Sequence, residues 1–121
     1  MLHHIALICS ERDRTVAFYE ALGFHVAEEH VRPEKDDILI LMSDGGMILE
    51  LFIKQGCPAR PSYPEAYGLR HLALKVHSAA QTAEKMQALG YNAEPLRKDT
   101  FTGETMTFVF DPDGLPVELH E

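Results

Sequence analysis

The chain contains few cysteines, few basic residues and no apolar run long enough to cross a bilayer. Cys9 and Cys57 are its only cysteines, so neither a disulfide framework nor a thiolate metal site is expected. The 11 lysines and arginines stand against 19 aspartates and glutamates, and the formal net charge of −8 disfavours binding to nucleic acid. Because we find neither a membrane-spanning run nor a basic leader, we expect a cytoplasmic protein with no membrane partner.

The composition is that of an ordinary globular protein, with 45% hydrophobic and 25% charged residues. A chain of 121 residues is long enough for one core but not for two independent cores, so we predict a single domain over residues 1–121. Prolines and glycines in residues 54–68 exclude a continuous helix or strand there. This stretch is the predicted linker between module one, residues 1–53, and module two, residues 69–121.

The two modules repeat one pattern. His4 is followed by Ile-Ala-Leu and His71 by Leu-Ala-Leu, and a glycine stands nineteen residues after each histidine, at Gly23 and Gly90. Such a repeat indicates two modules of the same structure that share a core.

Each module is predicted to fold as a strand, a helix and three further strands. The first helix is expected to begin at Glu11, after a Ser10 cap, and to end at Gly23. The second is expected to follow Ser78, or His77 before it, and to run through Leu89. The predicted strands are residues 2–8, 24–27, 38–42, 47–53, 69–75, 91–96, 105–110 and 115–120. The charged residues 32–37 are expected to form an exposed connection. We therefore predict an α+β fold in which two βαβββ modules pair into an eight-stranded curved mixed sheet with the helices outside.

A glutamate interrupts an apolar run near the end of each module. Glu50 stands in Ile-Leu-Glu-Leu-Phe and Glu118 in Pro-Val-Glu-Leu-His, where an unpaired buried carboxylate would be costly. If the first and last strands of both modules face the concave side of the sheet, these glutamates converge there with His4 and His71. Two imidazoles and two carboxylates suit a divalent metal, with Zn and Ni the first choices and Co, Mn and Fe also compatible.

At single positions a structural role competes with the metal interpretation. A lone strand histidine is more often a hydrogen-bonded core residue than a ligand, and Glu118 lies where a frayed strand end is conceivable. Agreement at four positions of the repeat favours the metal. His3 should point to the face opposite His4. The histidines that lack the repeat relationship are predicted at the surface: His25, His30, His77 and His120.

The chain resembles the vicinal oxygen chelate superfamily, and within it small glyoxalase I-type proteins, over essentially its whole length. The motifs that carry the resemblance are residues 4–7, 18–24 and 68–73, Glu50, and the turn 111–114 that leads to Glu118. The order His, Glu, His, Glu is that of bacterial glyoxalase I, so the implied metal ligands are His4, Glu50, His71 and Glu118.

The resemblance implies a metal-dependent lyase of methylglyoxal detoxification that works as a homodimer on a small molecule. Such an enzyme isomerises a 2-oxoaldehyde thiohemiacetal, of the kind formed by methylglyoxal and glutathione, to a 2-hydroxyacyl thioester through an enediolate. Glu118 is the implied catalytic base, displaced from the metal by substrate, and Glu50 remains a ligand or serves the opposite face. A substrate with carboxylates requires basic residues at the cleft, and the candidates are Arg32, Arg60, Arg70, Arg97 and Lys98.

Two other functions remain open on the same fold. One is a different enzyme of this superfamily, a fosfomycin-type thiol transferase or an epimerase. Such enzymes resemble this chain but use only one glutamate, so the presence of Glu50 in addition to Glu118 argues against them. The other is a metal-free drug-binding resistance protein, which predicts a hydrophobic cleft and tight ligand binding, and whose acidic balance would favour cationic ligands. Metal content distinguishes the binding protein from both enzymes.

Overall fold

The computed structural model describes residues 1–121, which divide into two compact units, residues 1–59 and 60–121. The boundary lies inside the predicted linker, and the single domain over residues 1–121 stays a prediction. Each unit contains a strand, a helix and three further strands, so the predicted α+β class and the two βαβββ modules are confirmed. Neither helix is long and apolar enough to span a membrane.

Unit 1, residues 1–59, carries a four-stranded mixed sheet and one helix. Its elements are β1 (Ile5–Cys9), α1 (Arg12–Ala21), β2 (His25–Arg32), β3 (Asp37–Ser43) and β4 (Ile48–Ile53). The strands lie in the order β1-β4-β3-β2, with β1 parallel to β4 and the other pairs antiparallel. The first and last strands of the unit are therefore neighbours.

Unit 2, residues 60–121, repeats this topology. Its elements are β5 (Leu72–Lys75), α2 (Ala79–Ala88), β6 (Arg97–Lys98), β7 (Thr105–Phe110) and β8 (Pro116–His120). The strand order is β5-β8-β7-β6, again with the first strand parallel to the last. The eight strands thus form two four-stranded mixed sheets, one in each unit.

Alternation along the last strand of each unit directs its apolar residues into the core. In β4, Leu49 and Leu51 are fully buried, and in β8, Val117 and Leu119 are fully buried. Burying an aliphatic side chain of this size contributes about 1.5–3 kcal/mol. The residue between each pair must point to the other face of its sheet, and in both strands that residue is a glutamate.

The caps of the two helices differ from each other. Of the two residues considered before α2, Ser78 is the cap, because its Oγ accepts the Gln81 N–H at 3.2 Å. The predicted Ser10 cap is wrong: α1 begins at Arg12, so the cap position falls on Glu11, whose side chain makes no capping hydrogen bond.

The second strand is longer than predicted, whereas the exposed connection predicted at residues 32–37 is confirmed over residues 33–36. β2 continues to Arg32 and pairs with β3 along its length, with a bulge between Val26 and Glu28. A single 3-10 turn, Pro33–Lys35, joins the two strands. Asp37, expected to be exposed, is buried.

The strand predicted at residues 91–96 does not form. Only an isolated bridge between Ala93 and Val109 occurs there, and the edge strand β6 is confined to Arg97–Lys98. Pro95 has no N–H to donate to a ladder, which limits regular pairing in this segment.

Candidate metal centre

The first histidine and glutamate of the repeat meet in unit 1. Parallel pairing of β1 with β4 sets Ala6 opposite Glu50, and His4 lies two residues before Ala6. His4 Nε2 is 3.4 Å from Glu50 Oε2, and the two side chains are 38% and 23% exposed. We call this pair half-site 1.

The second histidine and glutamate meet in unit 2 by the same register. Pairing of β5 with β8 sets Ala73 opposite Glu118, and His71 lies two residues before Ala73. His71 Nε2 is 3.0 Å from Glu118 Oε2, and the side chains are 27% and 11% exposed. This pair is half-site 2. Its glutamate is buried in the middle of a sheet, so the alternative of a frayed strand end is wrong.

The spacing within each half-site fits two neighbouring ligands of one metal ion. Ligand atoms about 2.1 Å from an ion and about 90–109° apart around it lie about 3.0–3.4 Å from each other. The two half-sites measure 3.0 and 3.4 Å. Within either unit no third histidine, cysteine, aspartate or glutamate joins the pair to make a metal-binding group. Each unit thus provides two of the four predicted ligands.

His3 contacts His4, contrary to the prediction that the two side chains point to opposite faces. Its Nδ1 lies 2.9 Å from His4 Nδ1, and the two rings meet edge to face with their centroids 5.1 Å apart. Both residues precede Ile5, the first residue of β1, so strand alternation does not govern them. In the tautomer in which His4 Nδ1 donates to His3, His4 Nε2, the atom nearer to Glu50, is free to bind an ion. The doublet His3-His4 was the available sequence signal.

The half-sites differ in what faces the glutamate from the neighbouring strand. Phe108 on β7 lies opposite Glu118, and its ring meets the His71 ring edge to face at 5.2 Å. In unit 1 the residue opposite Glu50 is Leu41. The aromatic ring holds the His71 imidazole in place, whereas an aliphatic side chain occupies the equivalent position in unit 1.

The remaining histidines lie outside the half-sites. His25, His30 and His77 are exposed, as predicted. His120 is only part-exposed, which corrects the prediction of a surface residue: it contacts the Glu121 carbonyl oxygen at 2.7 Å and Asp99 at 3.2 Å. The backbone carbonyl and, next, the carboxylate raise the pKa of His120 above its ordinary value.

A cavity adjoins half-site 2. Its volume is about 730 Å³, and His71, Glu118 and Phe108 lie in its wall together with much of residues 60–70. This volume is in the range of sites that bind small molecules. Half-site 2 therefore combines an imidazole and a carboxylate with room for a substrate.

The family model described as "Glyoxalase/Bleomycin resistance protein/Dioxygenase superfamily" matches residues 1–119. The chain belongs to this superfamily. Membership agrees with the vicinal oxygen chelate resemblance noted in the sequence, and the superfamily contains enzymes as well as binding proteins.

Several superfamily members are similar along almost their whole length. The crystal structure of a glyoxalase family protein from Enterococcus faecalis has a TM-score of 0.93 and 52% identity, covering 100% of this chain and 97% of that one. The uncharacterized protein YwkD of Bacillus subtilis (strain 168) is 43% identical over 122 residues, which are 99% of this chain and 95% of YwkD. The lactoylglutathione lyase of Salmonella typhimurium is 30% identical over 126 residues, covering 99% of this chain and 91% of the lyase.

Proposed function

We propose that this superfamily member is a metal-dependent lyase of the glyoxalase I type. It would convert the thiohemiacetal of a 2-oxoaldehyde, such as the methylglyoxal–glutathione adduct, into a 2-hydroxyacyl thioester. The observation that carries the proposal is the repetition of one histidine–glutamate pair in one register in both units. The similarity to lactoylglutathione lyases along almost the whole chain supports it.

The proposed metal ligands are His4 and Glu50 of half-site 1 with His71 and Glu118 of half-site 2. Neutral imidazoles and carboxylates suit Zn and Ni, and two carboxylates balance the charge of a divalent ion. We also propose that the active protein is a homodimer in the cytoplasm, in line with the family resemblance. When bound, the ion supplies Lewis acidity, which lowers the pKa of the substrate's carbon-bound proton and stabilises the negative charge that develops on its oxygens.

The protein's own groups move the proton. We assign Glu118 as the base that takes the proton from the carbon bearing sulfur and returns it to the neighbouring carbon, so that no atom is gained or lost. Its carboxylate is buried, adjoins the cavity and lies beside His71, which restricts its orientation. Glu50 remains a ligand or serves the opposite face of the substrate.

Metal analysis with two isosteric variants tests this proposal. Untagged wild-type protein, purified without chelator, should contain about one ion per chain by elemental analysis. Glu50→Gln and Glu118→Gln should both weaken metal binding, because each replaces an anionic ligand with a neutral amide. At saturating metal Glu118→Gln should still lose turnover of the methylglyoxal–glutathione adduct by at least about a hundredfold, the typical contribution of general base catalysis.

The rival functions give different results in the same experiment. Protein that takes up no ion even after reloading with nickel or zinc would refute the lyase and favour the metal-free binding protein. Metal binding without turnover of any oxoaldehyde adduct would leave a different enzyme of the superfamily. Full turnover by the metal-loaded Glu118→Gln variant would refute the assignment of the base.

A further inference from the structure

Four of the five basic residues considered for substrate binding already have polar partners. The contacts are Arg32–Asp37 at 2.7 Å, Arg70–Glu65 at 2.7 Å, Arg97–Glu94 at 3.2 Å and Lys98–Thr105 at 2.9 Å. A cation that already pairs with a carboxylate gains little from a substrate anion, because the new contact must share or break the existing one.

Lys98 contacts a neutral hydroxyl rather than a carboxylate, but it does not line the cavity beside half-site 2. Arg60 differs from the other three arginines, which pair with carboxylates. Its Nη2 donates to the carbonyl oxygens of Leu69 at 3.1 Å and Arg70 at 2.8 Å, and no carboxylate pairs with it. Its Nε is shielded from solvent and has no hydrogen-bond partner. Neutral acceptors do not cancel the charge of a guanidinium, and an unpaired buried N–H is unfavourable until it finds an acceptor. Arg60 therefore has an unneutralised charge and an unused donor.

The position of Arg60 connects it to half-site 2. The two carbonyl groups that it binds belong to the residues immediately before His71. Arg60, His71 and Glu118 all line the cavity of about 730 Å³ in unit 2. The aromatic side chains of Tyr67 and Phe108 also contribute to the cavity wall. A small molecule in this cavity would therefore lie near both the Arg60 guanidinium and the His71–Glu118 pair.

We propose that Arg60 binds an anionic group of the substrate, a carboxylate or a phosphate, at the end remote from the reacting carbons. The planar guanidinium fork matches either group. The chain carries a formal net charge of −8, so a fixed, unpaired cation inside the cavity provides the local attraction that an anion needs. Placing the reacting carbons at His71 and Glu118 rests on the proposed lyase function, whereas anion binding by Arg60 does not.

Nuclear magnetic resonance of the arginine Nε–H groups tests the inference without any enzymatic assay. Inorganic phosphate and succinate are titrated separately into the full chain at constant ionic strength, because added salt screens charges. The Arg60 Nε–H signal should shift saturably with at least one of them. Arg60→Gln should weaken that anion's binding about 10- to 100-fold, the effect of losing a charge-assisted hydrogen bond.

Arg70→Gln is the matched control. Arg70 lines the same cavity and adjoins His71, but Glu65 neutralises it, so its loss should change anion binding less than about threefold. Arg60→Lys keeps the charge without the fork, and should bind with intermediate affinity. The absence of a saturable Arg60 shift with either anion, or an equal loss in the Arg60→Gln and Arg70→Gln variants, would overturn the inference.

Turnover measurements separate this inference from the proposed function. With methylglyoxal adducts, Arg60→Gln should raise KM for the glutathione adduct, which carries carboxylates, and leave KM for the uncharged 2-mercaptoethanol adduct unchanged. Equal effects on the two adducts would overturn the role of Arg60 in substrate choice. If the protein turns over neither adduct, the lyase proposal fails, and the anion titration still decides whether Arg60 is an anion site.

Discussion

Replacement of His3 by alanine should weaken metal binding although His3 is not a proposed ligand. The Nδ1 atoms of His3 and His4 are 2.9 Å apart, a distance at which His3 can accept the His4 Nδ1 proton. That tautomer of His4 is the one whose Nε2 is free to bind an ion. Loss of such an outer partner typically costs 10- to 100-fold in metal affinity. Both histidines are exposed, and water can replace part of the contact, so we expect about a tenfold loss, equivalent to about 1.4 kcal/mol.

Competition between the protein and a chelator of known affinity measures this effect. His3→Gln, whose amide oxygen can accept the same proton, should recover part of the lost affinity. His77→Ala, which removes an exposed histidine outside both half-sites, is the control and should bind as the wild type does. A second readout needs no metal: the ring nitrogen signals of His4 should show a less uniform tautomer in His3→Ala. Wild-type affinity together with an unchanged tautomer would refute the positioning role of His3.

Two further predictions concern stability. Arg32 donates two hydrogen bonds of 2.7 Å to Asp37 and lowers the pKa of that carboxyl group. Asp37→Asn should therefore lower the thermal unfolding midpoint at pH 7. The difference between variant and wild type should narrow as the pH falls below about 4, because the wild-type carboxylate then protonates, first in unfolded chains and at lower pH in the folded protein. A difference that does not depend on pH would contradict this. Phe108→Leu should lower the free energy of unfolding in urea by about 1–2 kcal/mol, because it removes ring area and the edge-to-face contact with His71; an unchanged midpoint would contradict it.

The sequence repeat predicted both half-sites, because a histidine and a glutamate at matching positions of two modules with the same fold must lie on the same strands and in the same register. Histidine near the start of a module and glutamate near its end become neighbours only if the first and last strands pair in parallel, as β1 with β4 and β5 with β8 do. One register then applies to both units. What the repeat could not predict is the surroundings of each pair, because Phe108 and Leu41 occupy equivalent positions with different chemistry.

The errors occurred where the usual sequence signals are weak. β2 reads His-Val-Ala-Glu-Glu-His-Val-Arg, with little alternation of apolar and polar residues, because nearly all of its side chains are exposed. Its regular pairing with β3 comes from the backbone, which composition does not reveal. The same applies to Asp37, whose burial depends on pairing with Arg32 across two strands. Arg60 was one of five equal candidates, since only tertiary contacts show which cations are already neutralised.

The parallel pairing of first and last strands has a consequence for chain dynamics. β1 and β5 each have a single neighbour within their sheets, so local opening of these strands separates the histidine from the glutamate of the half-site. An ion that binds both the histidine and the glutamate of a half-site therefore closes the long chain segment between them. The free energy of ion binding must offset the conformational entropy that this segment loses. Amide hydrogen exchange in β1 and β5 would slow on loading more than exchange in β3 or β7. In each sheet the edge strand next to the histidine would therefore report most directly on the bound ion.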